Sequence, residues 1–145
     1  MIEADKVTKS YGQTVVVDGV TLSLARGGIT SIIGPNGAGK STLLSMIARL
    51  LPMNAGTVTV DGLDVTSTPS EVLARRLAVL RQENQVAARL TVRDLVSFGR
   101  YPHSKGRLTL DDRRHVEDAI GYLNLGAFAD RFMDELSGGQ RQRAY

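Results

Sequence analysis

The chain has 145 residues, enough for one domain with a real core and too few for two full ones. Its 42% apolar and 23% charged content is ordinary for a soluble globular protein. No apolar run nears the ~20 residues of a membrane span, and the lack of cysteine excludes disulfides, thiolate metal sites and cysteine nucleophiles. The formal charge of +3 comes from basic residues interleaved with Asp and Glu between Arg26 and Arg143, with no basic stripe. That reads as solvated surface and not as a nucleic-acid footprint. The start, Met1 to Asp5, lacks the basic-then-apolar layout of a signal peptide, which fits a cytoplasmic location.

In chain order, the first third reads as strands. Gln13 to Leu24 is rich in Val and Thr, follows the turn residues Tyr11-Gly12 and is interrupted at Asp18-Gly19. Ile29 to Ile33 is a short β-branched run of the kind buried on both faces, so a strand is expected there. It leads straight into a glycine-rich loop. From Lys40, apolar residues at 43, 44, 47 and 50/51 recur at helical spacing, with Pro52 and Gly56 as the stop. Thr57 to Val60 alternates like a half-buried strand and runs into an Asp61-Gly62 turn. Thr68-Pro69-Ser70-Glu71 has the form of a helix start with Thr68 as its cap. A short helix to Arg75 or Arg76 and a strand over Leu77 to Leu80 are expected to follow. After Gln82, Thr-x-x-Asp boxes open two helical stretches, Thr91 to Phe98 and Thr109 to Leu125. A β-rich, α/β core is therefore followed by a helical insertion of roughly 50 residues.

The loop Gly34-Pro35-Asn36-Gly37-Ala38-Gly39-Lys40-Ser41 satisfies G-x-x-x-x-G-K-[ST]. Backbone N–H groups that curl round phosphate oxygens require conformations glycine adopts cheaply, and a following helix adds its unpaired N–H groups and positive dipole end. Lys40 is placed to reach the β- and γ-phosphates and the Ser41 hydroxyl to bind Mg²⁺. The context, strand before and amphipathic helix after, favours this over a plain glycine-rich turn with a surface lysine. The loop marks a nucleotide site without saying which kind.

Leu136-Ser137-Gly138-Gly139-Gln140 is a second helix start, with Ser137 as cap and two glycines that let a phosphate come close. Taken alone, such a turn is more often a plain connection. Placed after the phosphate loop, it resembles the signature sequence of ATP-binding-cassette ATPases. The resemblance extends over essentially the whole chain. It matches Gly34 to Thr42 to the phosphate loop and Leu136 to Gln140 to the signature. Tyr11 falls at the adenine-stacking aromatic, and Gln82 at the glutamine that meets the metal and the attacking water. The segment Leu90 to His103, with Ser104 to Leu108, resembles the ATPases of iron-chelate importers, in their siderophore version.

The resemblance implies an α/β P-loop fold with an N-terminal antiparallel β region and a helical subdomain, the C-terminal part missing. Residues 1–82 would form the nucleotide-binding core, 83–136 the helical subdomain, and 137–145 the signature and the start of its helix. It further implies an ATPase that uses ATP and Mg²⁺, works as a head-to-tail pair and drives two transmembrane permease subunits fed by a substrate-binding protein. Its place would be peripheral, on the cytoplasmic face of a bacterial inner membrane. Neither nucleic acid nor direct iron binding is expected: His103 has no Asp, Glu or His at ligand spacing, and His115 sits on a polar helix face beside Arg113, Arg114 and Glu117. In the family pattern the second metal motif, the glutamate base and the switch histidine lie beyond the signature, and Asp134 and Glu135 precede it. The expected behaviour of these 145 residues is therefore nucleotide binding without efficient hydrolysis. Other classes stay open on the residues themselves: a soluble cassette ATPase acting on ribosomes or DNA, a haem importer, a P-loop kinase or GTPase, and a non-catalytic regulatory fragment.

Overall fold

The computed structural model describes residues 1–80 and 88–145, which form two compact units, Met1–Val79 and Leu80–Tyr145. In the first, β1 (Ile2–Tyr11), β2 (Thr14–Leu24), β3 (Ala55–Val60) and the two-residue β4 (Leu63–Asp64) make one sheet of order β2-β1-β3-β4. All three ladders are antiparallel. The Asp61-Gly62 turn joins β3 to β4 with both φ angles positive, 50° and 78°, the twist a tight hairpin needs. Inward-facing Ala4, Val7, Val17, Val58 and Val60 meet Leu43, Met46 and Ile47 of helix α1 (Lys40–Ile47), together with Val65 and Leu73. Burying each Val, Leu, Ile or Met side chain contributes on the order of 1.5–3 kcal/mol, and this shared core holds α1 to the sheet. Met46, and not Leu44, completes the buried stripe; Leu44 is exposed. The helix ends well before Pro52, where Arg49 turns left-handed at φ 57°.

Two expected strands do not form. Among the described residues, 28–35 and 77–80 have no strand pairing. Ile29 and Ile33 are 100% and 90% exposed, while Ile32 packs against the core. A strand of the doubly buried kind needs parallel neighbours to bond its N–H and C=O groups, and the described residues supply only the antiparallel sheet. Helix α2 (Ser70–Ala74) has Pro69 in its cap position, at φ −54° and ψ 138°, so Thr68 lies outside the helix and does not cap it.

The second unit is helical: α3 (Val92–Phe98), α4 (Tyr101–Ser104), α5 (Leu110–Tyr122) and α6 (Gly138–Ala144), with single 3₁₀ turns at Gly126–Phe128 and Met133–Glu135. The Thr-x-x-Asp boxes work as expected. Thr91 accepts from the N–H of Asp94 while Asp94 accepts from the N–H of Thr91, and Thr109 and Asp112 repeat the exchange. Val92, Val116, Ile120, Leu125, Ala129, Met133, Leu136 and Ala144 form the core. Asp112 is buried and takes Arg100 Nε at 2.9 Å and a second guanidinium nitrogen at 2.8 Å. No helix among the described residues is long and apolar enough to cross a membrane.

Candidate functional site: a phosphate loop and a capped Ser-Gly-Gly turn

The phosphate loop grows out of the fit between α1 and β2. Gly37 and Gly39 both stand at φ 84°, a conformation glycine enters without a Cβ penalty. Gly39 has a second constraint: a Cβ there would lie 2.5 Å from the Val16 carbonyl oxygen and 3.2 Å from a Val17 methyl. Only glycine lets the loop rest on β2. The ladder explains why Val16 is available. Lys9 pairs with Val17 and Ser10 with Val15, so Val16 is the extra residue of a bulge, and a bulge re-aims its neighbours.

Within the loop, Ala38 N–H donates to the Pro35 carbonyl at 3.3 Å. The Lys40 ammonium donates to the carbonyls of Gly34 at 2.8 Å and Pro35 at 2.6 Å. It therefore closes the loop on itself, on the two acceptors from which a phosphate would have to draw it. No side chain caps α1, which leaves its first N–H groups and dipole end to an anion. Ser41, one residue into the helix, is exposed. No group of three or more His, Asp or Glu able to hold a metal occurs among the described residues. A Mg²⁺ ion here would take the Ser41 hydroxyl and otherwise phosphate and water oxygens, which suits a hard cation that dehydrates reluctantly. Behind the loop lies an open cavity of about 390 Å³, bounded by Val16, Val20, Ile32, Gly39, Lys40 and Leu43 among others.

Tyr11 closes β1 in the same unit and is 52% exposed, with the Lys9 ammonium over its ring at 5.3 Å. Lys9 itself is buried and donates to the Pro52 carbonyl at 2.7 Å. Sequence reading passed over Lys9; the signal available was its place two residues before Tyr11, on the same strand face. Gln82 lies outside the described residues.

In the second unit Ser137 caps α6. Its hydroxyl accepts from Gln140 N–H at 3.3 Å, and the Gln140 side chain accepts from Ser137 N–H at 2.9 Å. Arg141, also missed in the sequence, holds the approach to this cap by donating to the Met133 carbonyl at 3.1 Å and the Leu136 carbonyl at 3.3 Å. Gly138 and Gly139 have ordinary helical backbones, and a Cβ on either would meet nothing within 4 Å. Neither the conformation nor the packing of this chain calls for glycine there.

The chain is 47% identical over its full length to the petrobactin import ATP-binding protein YclP of Bacillus subtilis (strain 168) and 51% identical to FatE of Bacillus anthracis, covering 58% of each. It is 38% identical to the ferric enterobactin transport ATP-binding protein FepC of Escherichia coli (strain K12), covering 54% of it. The chain thus spans little more than half the length of these relatives. Among solved structures, it superposes on the dimeric structure of a bacterial ABC transporter cassette with a TM-score of 0.81 at 29% identity, over 99% of this chain and 66% of the other. A nucleotide-free ATP-binding cassette from an ABC transporter matches with a TM-score of 0.76 at 30% identity, over 99% of this chain and 63% of the other. The family model described as ABC transporter matches residues 17–145, and the chain belongs to that family.

Proposed function

We propose that this chain is the ATP·Mg²⁺-binding part of a subunit that powers ferric-siderophore import. The observation that carries the reading is the loop's readiness for an anion: two left-handed glycines, an uncapped helix start, and a lysine parked on loop carbonyls. On binding, Lys40 exchanges those carbonyls for β- and γ-phosphate oxygens, and the first N–H groups of α1 take the β-phosphate. Mg²⁺ would sit on Ser41 and neutralise charge on the phosphates when bound. Tyr11 stacks on adenine, and Gln82, outside the described residues, would in the family pattern serve the metal and the attacking water.

Ser137, Gly138 and Gly139 serve the nucleotide of a second copy. The open space around the two glycines supports that role, because a bare backbone at a helix start admits a γ-phosphate that any side chain would obstruct. The pair closes on ATP and reopens after hydrolysis, driving two permease subunits at the cytoplasmic face of the inner membrane.

The siderophore assignment rests on the relatives named for petrobactin import, at 47% and 51% identity. The haem reading has weaker support, from a hemin import ATP-binding protein of Pseudomonas entomophila (strain L48) at 39%. Titrating the chain with ATP and Mg²⁺ while following phosphate release tests the nucleotide reading. Binding should fall at least tenfold in Lys40→Ala, on the order of the loss of one charged hydrogen-bond donor to phosphate. ATP affinity unchanged in Lys40→Ala would remove the loop from the site. Growth on ferric petrobactin against haem as iron source, with the gene disrupted in its own host, tests the cargo. Loss on haem alone would overturn the siderophore assignment.

A further inference from the structure

We infer that Lys9 is a positioning residue for the nucleotide base, holding Tyr11 as a stacking platform and tying that platform to the phosphate-loop helix; this rests on the ATP reading above. The lysine is buried in a strand whose neighbours on that face are apolar, an environment that a long cation enters only with a specific partner. It has two. Its ammonium donates to the Pro52 carbonyl at 2.7 Å and lies over the Tyr11 ring at 5.3 Å from the centroid. The ring therefore has one face against a cation, and the side chain remains 52% exposed to receive a flat ligand. A cation on one face draws π density toward itself and leaves the other face better suited to an electron-rich purine.

The Pro52 carbonyl gives the arrangement its reach. Pro52 follows the C-terminal end of α1, where Leu50 and Leu51 N–H groups both return to the Ser45 carbonyl. Around it, Asn54 N–H donates to Thr8 and the Asn54 side chain accepts from Ser10 N–H at 2.8 Å. Lys9 and Asn54 thus pin the end of β1 to the segment leaving α1. The other end of α1 is fixed by Gly39 resting on Val16, in the bulge facing Lys9 and Ser10. One stretch of β1 is tied to both ends of the helix that takes the phosphates, so base platform and phosphate cradle keep a fixed spacing.

The test compares ATP with inorganic tripolyphosphate, which has the phosphates and no base, on the chain and on Lys9→Met, Lys9→Gln and Lys9→Arg. Lys9→Met should weaken ATP roughly three- to tenfold, the scale of one cation–π contact, and leave tripolyphosphate unchanged. Lys9→Gln keeps a donor for Pro52 without the charge and should behave like Lys9→Met, which covers the case where the methionine variant does not fold. Lys9→Arg should restore most of the ATP affinity. In a Tyr11→Leu background Lys9→Met should have no further effect on ATP. Equal loss of both ligands, full additivity with Tyr11→Leu, or no loss of ATP at all would each overturn the inference. If the unsubstituted chain binds neither ligand, the nucleotide reading fails and this inference with it. If it binds both equally, the stacking platform fails while the phosphate loop stands.

Discussion

A methyl group added at Gly39 and one added at Gly138 enter different surroundings. At Gly39 it must accept a left-handed φ of 84° and meets the Val16 carbonyl at 2.5 Å. The chain must shift or the loop must lift off β2, and Gly39→Ala should destabilise the first unit by about 2 kcal/mol or more. At Gly138 the methyl points into open space on a helical backbone. Gly138→Ala should leave stability within about 0.5 kcal/mol of the parent, since alanine suits a helix better than glycine. Urea unfolding of the two variants checks both statements. A Gly138→Ala variant that unfolds as readily as Gly39→Ala would mean that this glycine serves the fold and is not left available for a ligand. Glycine pairs look alike in a sequence, and only the surroundings distinguish a residue the fold requires from one it leaves available.

The helices of the second unit show what was legible at the level of elements. Thr91, Thr109 and Ser137 were readable as caps because a cap is local: the side chain, the N–H it accepts from and the reciprocating residue lie within one turn. The boxes also carry a pH dependence. Asp112 is held at about 2, first by the Thr109 hydroxyl, then by the Thr109 N–H and by Arg100. Asp94 is lowered by Thr91 in the same way. A carboxyl depressed in the folded state contributes stability that is fully present above its ordinary pKa of ~3.9 and is lost as pH falls through the folded value. The α5 cap should therefore weaken between about pH 4 and about pH 2, with no change from pH 5 to 8. Hydrogen exchange at the Val116 and Ile120 amides follows α5 itself and avoids confusion with Asp64, also held at about 2 in the first unit. Asp112→Asn should flatten that acid loss and raise exchange at neutral pH, because Arg100 then faces a neutral partner. An acid limb as steep in Asp112→Asn as in the parent would assign the proton uptake elsewhere.

At the scale of the whole molecule, local signals stop being sufficient. Ile29 to Ile33 has the composition of a strand, and so has Leu77 to Leu80, but composition cannot supply a ladder partner. Thr57 to Val60 succeeds because β1 lies beside it, with Glu3 opposite Thr59 and Ala4 opposite Val58. The shape of the glycine-rich loop was legible for a related reason: its glycines and Lys40 lie within eight consecutive residues, and the Lys40 ammonium closes on carbonyls of that same stretch. The position of Lys9 was not, since its partner Pro52 lies 43 residues away.

The unpaired runs have a consequence for the chain in solution. Ile29, Ile33, Val79 and Leu80 are exposed β-competent side chains on backbone without ladder bonds, a template for pairing with another molecule. The chain should self-associate as its concentration rises, which light scattering across a dilution series measures. The double substitution Ile29→Lys and Ile33→Lys should shift that onset to higher concentration. Because both positions are almost fully exposed, the unfolding midpoint should stay within about 0.5 kcal/mol of the parent. Adding ATP should leave association unchanged if edge pairing drives it, and increase it if the nucleotide-sandwiched pair does. The response to ATP therefore separates two modes of pairing that a molecular mass alone would merge.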